Sequence, residues 1–181
     1  DGLIKALVAQ QKKVAVLCID PSSPFSTGAL LGDRIRLQQW HNESNVFIRS
    51  LASRGSLGGI GFMTIEITDL LKSCSFDYII IETVGVGQSE VDIAALADIT
   101  TVVLVPESGD EVQTMKSGLL EIADIFVINK CDRPGADLIK YGLLSSMQIL
   151  PEEKRKPVVE TSAIDGKGIA NWFETITSST S

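Results

Sequence analysis

The residues of this chain best suited to chemistry form the short sequence Asn-Lys-Cys-Asp at positions 129–132, directly after the apolar run 125–128. The carboxylate of Asp132 could accept hydrogen bonds from both N1–H and the exocyclic amine of guanine, whereas adenine would leave it unpaired. Asn129 could tie neighbouring loops together, and the aliphatic stem of Lys130 could cover the face of the base. This spacing therefore predicts a guanine-binding loop.

A second candidate loop follows the apolar run 78–81, where Glu82 is succeeded by Gly85 and Gly87. A carboxylate at the end of a strand is a common way for a nucleotide site to hold magnesium, directly or through water. Glycines let backbone N–H groups approach a phosphate closely, because they have no Cβ. The alternative is a salt-bridged Glu82 beside turn-forming glycines, but the combination within one short window favours the nucleotide site.

Two further loops are less specific. Asp20 directly follows the apolar run 14–19, and Asp33 comes after a long loop rich in Ser, Thr, Gly and Pro. Such a loop beside a strand end is often functional, although Asp20 could equally begin a turn and Asp33 could cap a helix. The turn Thr161–Ala163 follows the last apolar run and could supply a backbone N–H to the carbonyl of a base.

The elements that would position these loops are short strands alternating with helices. Six apolar runs are continuous or nearly so, as expected for strands covered on both faces; they span residues 14–19, 45–51, 78–81, 99–105, 125–128 and 157–162. Helical patterns cover residues 3–11, 112–122 and 169–176. This alternation predicts an α/β fold with a doubly wound, mostly parallel sheet and helices on both faces. In such sheets ligands bind beyond the carboxyl ends of the strands, where the candidate loops lie.

The overall composition argues against several classes of protein. A length of 181 residues suits one domain. Lys plus Arg is 16 and Asp plus Glu is 23, so the net charge is −7, and an acidic chain without a basic cluster is a poor candidate for binding nucleic acid. No apolar run is long enough to cross a bilayer. Three cysteines without a CxxC pair argue against a disulfide framework and favour a reducing compartment.

Four longer stretches carry a resemblance to a known family; they are DPSSPFSTGALLGDRIR, DYIIIETVGVGQSE, VPESGDEVQTMKSGLLEIADIFVINKCD and TSA. In this order they resemble the MeaB/ArgK/MMAA family over essentially the whole chain. Members are P-loop GTPases that act as chaperones of adenosylcobalamin-dependent acyl-CoA mutases such as methylmalonyl-CoA mutase. The resemblance implies that the intact protein binds GTP or GDP with Mg²⁺, acts on a B12-dependent acyl-CoA mutase and forms a homodimer. It also implies a cytoplasmic location, or the mitochondrial matrix if the source is eukaryotic.

The same resemblance implies where the metal and the phosphates would bind. Asp20, Asp33 and Glu82 would lie around the magnesium, with Asp20 and Asp33 in a first switch and Glu82 at the start of a second. In the second switch Gly85, or alternatively Gly87, would donate an N–H to the γ-phosphate, so that the loop is ordered before hydrolysis and released after it. A third switch, residues 105–116, would communicate with the mutase.

The family pattern also implies base-binding and catalytic residues. Asn129, Lys130 and Asp132 would bind the guanine, and the turn that contains Ser162 and Ala163 would support it. Glu82 would serve hydrolysis through the magnesium. The group that positions the attacking water would be Gln88 or a charged residue of the third switch such as Lys116; these candidates remain open, because water positioning varies between GTPase classes.

One expected feature is not among the 181 residues: the glycine-rich phosphate-binding loop that ends in Gly-Lys-Ser/Thr in this family. We therefore expect residues 1–181 to be a single G domain that begins just after the position of that loop. The backbone N–H groups and the lysine of the loop supply most of the binding of the β-phosphate. This segment alone is accordingly expected to be inactive.

Three alternative functions are weighed against this one. A nickel-insertion GTPase would need a cluster of Cys and His, whereas this chain has one histidine, His41, and scattered cysteines. An ATP-dependent kinase linked to basic amino-acid transport is disfavoured by the guanine pattern at 129–132. A G-like scaffold that binds a partner without nucleotide is a third possibility, which would leave Asp132 and Glu82 without ligands.

Overall fold

The computed structural model describes residues 1–20, 37–52, 62–83, 94–106 and 119–179. The chain divides into two compact units, one formed by Asp1 and Leu3–Ala97 and the other by Gly2 and Asp98–Ser181. Among the described residues, each unit contains one three-stranded sheet in which every strand pair is parallel.

The first unit is built around a central strand. Its elements are α1 (Gly2–Ala9), β1 (Val14–Asp20), a single 3-10 turn (Gln38–Trp40), β2 (Val46–Ala52), α2 (Phe62–Ser73) and β3 (Tyr78–Thr83). The strand order is β2-β1-β3, so β1 lies in the middle. Residues Val14 to Cys18 of β1 are each at most 2% exposed. On one face of the sheet, Leu71 and Ile67 of α2 pack against Leu17 and Ile81.

The second unit repeats this plan with different partners. Its elements are β4 (Thr101–Leu104), the short α3 (Leu120–Ile122), β5 (Ile125–Ile128), α4 (Ala136–Met147), a 3-10 turn (Glu152–Lys154), β6 (Val158–Glu160) and α5 (Ile169–Ser179). The strand order is β4-β5-β6.

Strand β5 is the core of the second unit, and both of its faces are covered. Phe126 and Ile128 belong to a cluster with residues of α4. Ile125 and Val127 point the other way and pack with Trp172 of α5. Since successive side chains of a strand alternate between faces, a strand buried on both sides must be apolar throughout. This explains why the sequence reads as a continuous apolar run.

The predicted α/β architecture with parallel strands is confirmed, and all six apolar runs contain a strand. Among the helices, α1 and α5 match the predicted patterns 3–11 and 169–176. Helix α3 lies at the end of the predicted pattern 112–122. The sequence patterns did not identify α2 and α4. In α4 the reason is visible, because Leu138 and Tyr141 are 76% and 75% exposed, and these apolar side chains on the outer face blur the helical periodicity. The expectation of a single domain stays a prediction.

Within the described ranges, every helix is too short or too polar to cross a membrane.

Candidate guanine-nucleotide site

The predicted base-binding loops begin side by side at the carboxyl end of the second sheet. The backbone N–H of Asn129, the first residue after β5, donates to the carbonyl of Leu104 at 2.8 Å. The N–H of Thr161, the first residue after β6, donates to the carbonyl of Ile128 at 2.9 Å. Parallel pairing of β5 with both neighbours therefore delivers the two loops to the same edge of the sheet.

The side chain of Asn129 joins these two loops. Its Oδ1 accepts a hydrogen bond from the Thr161 hydroxyl at 3.3 Å and another from the backbone N–H of Ala163 at 3.2 Å. The N–H of Cys131 adds a third link by donating to the carbonyl of Thr161 at 3.0 Å. Thr161 and Ser162 are almost completely buried, so the end of the second loop that contacts Asn129 is packed within the protein. The expectation that Asn129 would tie neighbouring loops together is matched by this geometry.

The loop after β5 turns sharply at Lys130. This residue has a φ of 58°, in the left-handed region that non-glycine residues seldom occupy and that often marks functional sites. The N–H of Arg133 closes the turn by donating to the carbonyl of Lys130 at 2.9 Å. Gly135, at a φ of 95°, is the N-cap residue that precedes α4. The side chain of Asp132 is exposed in this turn and is accessible to a ligand.

The loop after β6 is closed on itself. Ser162 and Lys167 form an isolated antiparallel bridge, with the Ser162 N–H donating to the Lys167 carbonyl at 3.0 Å. Inside the bridge, Asp165 Oδ1 accepts the Lys167 N–H at 3.2 Å. The hydrogen bond from the Ser162 side chain, followed by that from the Lys167 backbone, lowers the pKa of Asp165 below its ordinary value. The carboxylate is thus held in its ionised form by the loop that it closes.

Gly168 presses this loop against the end of β6. A Cβ at this position would stand 1.9 Å from the carbonyl oxygen of Glu160, and the residue has a φ of +76°. Glycine is required on both counts, because a side chain would overlap the backbone and would strain the conformation. Glu160 is also held from the other side by an ion pair with Lys140 of α4. The position of the loop is therefore determined by contacts on either side of β6.

Two of the three predicted metal ligands, Asp20 and Glu82, lie at the same edge of the first sheet. Asp20 is the last residue of β1, and Glu82 is the second-last residue of the neighbouring parallel strand β3. Glu82 lies opposite Cys18 in the register, and the Cys18 thiol donates to Glu82 Oε2 at an S–O distance of 3.8 Å. Paired strand ends that carry carboxylates fit a hard cation such as Mg²⁺, which prefers oxygen ligands. The side chain of Asp20 is not among those described.

Several predicted site residues lie outside the described ranges; they are Asp33, Gly85, Gln88 and Lys116. Within the described parts of the chain, no group of three or more His, Cys, Asp or Glu side chains is placed to hold a metal ion. The proposed roles of all the site residues stay predictions.

Sequence reasoning missed Cys18 and Asp165. Cys18 was noted only as a thiol outside any disulfide pattern, and its contact with Glu82 follows from strand register, which a single sequence does not give. Asp165 did have a local signal, since Asp-Gly is a common turn pair.

Comparison with solved structures places the chain in a known fold. HypB from Helicobacter pylori, solved in complex with nickel, superposes with a TM-score of 0.70 at 19% identity and covers 98% of this chain and 79% of that one. HypB from Archaeoglobus fulgidus gives a TM-score of 0.62 at 18% identity, covering 97% and 79%. Identities this low establish a shared fold and no more.

Sequence comparison is more specific. A Pyrococcus horikoshii protein named as a GTPase is 47% identical over 181 residues, which are 97% of this chain and 57% of that protein. The mouse protein named "Methylmalonic aciduria type A homolog, mitochondrial" is 38% identical over 178 residues, covering 95% and 43%. GTPase ArgK of Escherichia coli is 35% identical over 176 residues, covering 94% and 53%. The chain thus spans about half the length of the curated relatives it matches.

The family profile described as "Methylmalonyl Co-A mutase-associated GTPase MeaB" matches residues 1–181, which is the whole chain. The resemblance seen in the four sequence stretches is therefore confirmed. This chain belongs to the MeaB family of methylmalonyl-CoA mutase-associated GTPases.

Proposed function

We propose that this chain forms the guanine-binding part of a GTPase, and that the intact protein binds GTP with Mg²⁺ and hydrolyses it. The observation that carries the proposal is the joint at Asn129, whose side chain holds the Thr161–Ala163 turn against the loop that presents Asp132. Two loops bonded together in this way could present their polar groups to the same base. Membership of a family described as GTPases supports the same conclusion.

Each residue of the base site has a distinct task in this proposal. Asp132 accepts hydrogen bonds from N1–H and the exocyclic amine, and so selects guanine over adenine. The stem of Lys130 covers one face of the base. The N–H of Ala163 donates to the base carbonyl O6. Because Asn129 links the first loop to the second, the Asp132 carboxylate and the Ala163 N–H lie on two loops that are bonded to each other.

The metal ligands of this proposal come from the first unit. Asp20, Asp33 and Glu82 would hold Mg²⁺, which neutralises the charge that develops on the phosphates during hydrolysis. The Cys18 thiol helps to orient the Glu82 carboxylate from the neighbouring strand. Gly85 would donate its N–H to the γ-phosphate, and Gln88 or Lys116 would position the attacking water. The lysine-bearing phosphate loop would be supplied by residues of the intact protein outside these 181.

We further propose that the GTPase gates the loading and protection of the cofactor of a B12-dependent acyl-CoA mutase of the methylmalonyl-CoA mutase type. The support is the printed description of the family and the name of the mouse relative. A homodimer, located in the cytoplasm or in the mitochondrial matrix of a eukaryote, would be the working form. GTP binding would order the switches and hydrolysis would release them, so the grip on the mutase would change with the nucleotide.

The alternatives receive less support. The likeness to nickel-bound HypB concerns the fold alone at 19% identity, whereas the family profile matches every residue of the chain. A kinase that uses ATP would have to accommodate adenine opposite Asp132, and the adenine edge would offer the carboxylate no matching pair of donors. The E. coli relative is itself named a GTPase. A measurement of nucleotide binding would distinguish the proposed GTPase from a scaffold that binds a partner without nucleotide.

The base site is tested by Asp132→Asn in the intact protein. Loss of a charged hydrogen-bond acceptor should weaken GDP binding about 10- to 100-fold, and xanthosine diphosphate should gain affinity because its 2-oxo group can accept from the new amide. Isothermal titration with GDP, ADP and xanthosine diphosphate measures both effects. Glu174→Ala, which removes an exposed carboxylate on α5, is the control and should bind as wild type does. Unchanged GDP affinity in Asp132→Asn would exclude Asp132 from the base site.

The partner is tested by adding a B12-dependent mutase to the intact protein. We expect the rate of GTP hydrolysis to rise, and Lys116→Ala in the third switch to reduce the stimulated rate. Phosphate release with and without the mutase measures the stimulation. The proposed partnership would be contradicted if the mutase does not change the rate of GTP hydrolysis and the two proteins do not copurify. The proposed GTPase activity would be unaffected by that result.

A further inference from the structure

We propose that Asp165 is a positioning residue for guanine recognition, which fixes the loop that offers the Ala163 N–H to the base carbonyl O6. This inference rests on the proposed function and extends it to a residue two positions beyond Ala163. Asp165 touches neither the base nor the phosphates in this proposal; it acts through the shape of the loop.

The contacts of Asp165 span the loop from end to end. Oδ1 accepts the N–H of Lys167 at 3.2 Å, and the neighbouring Ser162 side chain is the largest cause of the lowered pKa of Asp165. Ser162 and Lys167 are the two residues that close the loop by pairing with each other. The carboxylate therefore bonds directly to Lys167, whose carbonyl accepts the Ser162 N–H and so closes the segment that carries Ala163.

The rest of the loop cannot replace these bonds. Between the paired ends, residues 163–166 are exposed, so the packing that would hold a buried segment is missing. The N–H of Gly166 donates to the Ser162 carbonyl at 2.9 Å, which closes the turn but does not engage Ala163. The lowered pKa of Asp165 agrees with this role, since hydrogen bonds that favour the ionised form are strongest to a full carboxylate.

The orientation of the Ala163 N–H matters because it has a competing acceptor. In this structure it donates to Asn129 Oδ1 at 3.2 Å. A base carbonyl must either share this donor or replace Asn129 Oδ1, and either arrangement depends on where the loop places the N–H. Hydrogen bonds weaken steeply as their angle departs from linearity, so a loose loop would bind O6 poorly even with Ala163 unchanged.

The test compares two variants of the intact protein with three nucleotides. Asp165→Ala removes both acceptors, whereas Asp165→Asn retains a side-chain oxygen that can still accept the Lys167 N–H. The ligands are GDP, inosine diphosphate, which keeps O6 but lacks the exocyclic amine, and 6-thio-GDP, which replaces O6 by a weakly accepting sulfur. Titration calorimetry gives the affinity of each pair.

We expect Asp165→Ala to weaken GDP and inosine diphosphate equally, by about three- to tenfold, the value of one hydrogen bond. Its effect on 6-thio-GDP should be smaller, so the preference for GDP over the thio analogue should shrink. The preference for GDP over inosine diphosphate, which reports on Asp132, should stay at the wild-type ratio. Asp165→Asn should retain most of the O6 preference, and Glu174→Ala should match wild type for all three ligands.

Other outcomes would overturn the inference. A wild-type preference for GDP over 6-thio-GDP in Asp165→Ala, or an equal loss for both ligands, would show that Asp165 does not act on O6. If Asp165→Ala does not fold, Asp165→Glu replaces it; its longer side chain keeps the charge but misplaces the acceptors, and an unaltered preference would again refute the role. Failure of the wild-type protein to bind GDP would instead contradict the proposed function, so the two failures are distinguishable.

Discussion

At the scale of single residues, the loop after β6 depends on two glycines that differ in one respect. Gly166 and Gly168 both lie in the left-handed region, at φ of +78° and +76°. A Cβ at Gly166 would meet nothing within 4 Å, whereas one at Gly168 would stand 1.9 Å from the Glu160 carbonyl oxygen. The pair therefore separates backbone strain from steric overlap.

We expect Gly166→Ala to lower the free energy of unfolding by about 1–2 kcal/mol, the cost of a left-handed alanine. Gly168→Ala should cost more than about 3 kcal/mol, because the backbone of the loop must also move away from β6. Urea denaturation followed by circular dichroism measures both values. Equal costs for the two variants would mean that Gly168 is not packed against Glu160 as described.

Some of these residues could be identified from the sequence and others could not. Asn129 and Asp132 were identified because their chemistry and spacing follow directly after a buried strand, which is a local pattern. Cys18 was missed because its contact with Glu82 depends on which strands are neighbours and on their register. A single sequence does not reveal either. The left-handed Lys130 was likewise beyond prediction, since lysine carries no intrinsic preference for that conformation.

At the scale of elements, α4 is the helix that anchors the predicted base-binding loop. Leu143 and Met147 are buried against β5, while Leu138 and Tyr141 on the other side are mostly exposed. Lys140 stands between these faces and pairs with Glu160 at the end of β6. One helix thus holds both the strand that precedes the Asn129 loop and the strand that precedes the Ser162 turn.

Two leucines of α4 provide a matched comparison. Leu143→Ala should lower the free energy of unfolding by about 2–5 kcal/mol, since Leu143 is fully buried in the cluster with Phe126 and Ile128. Leu138→Ala should change it by no more than about 0.5 kcal/mol, because Leu138 is 76% exposed. Thermal and urea unfolding report the difference. A large effect at Leu138 would indicate that this face is covered in solution.

At the scale of the whole molecule, the chain matches about half of the length of its curated relatives. Curated relatives are matched over 57%, 43% and 53% of their lengths. The Gly-Lys-Ser/Thr sequence expected of a phosphate-binding loop is not found in the 181 residues.

We predict that residues 1–181, prepared alone, bind GDP at least about 100-fold more weakly than the intact protein and show no measurable GTP hydrolysis, because the backbone N–H groups and lysine of the phosphate loop are missing. Fluorescent GDP titration and a phosphate-release assay, run on both proteins, provide the comparison. Circular dichroism of the segment is the necessary control for folding. Equal affinities would show that the phosphates are held by residues of this chain.

The burial of β5 on both faces has a consequence for how the site can fail. Its backbone amides pair with β4 and β6 on either side, and its side chains are almost wholly shielded from solvent. Such amide protons exchange with heavy water only when a large part of the fold opens. Heating would therefore be expected to loosen the exposed residues 163–167 first. Selectivity for guanine would then decline at temperatures where the amide protons of β5 are still protected from exchange, as they are in the native protein.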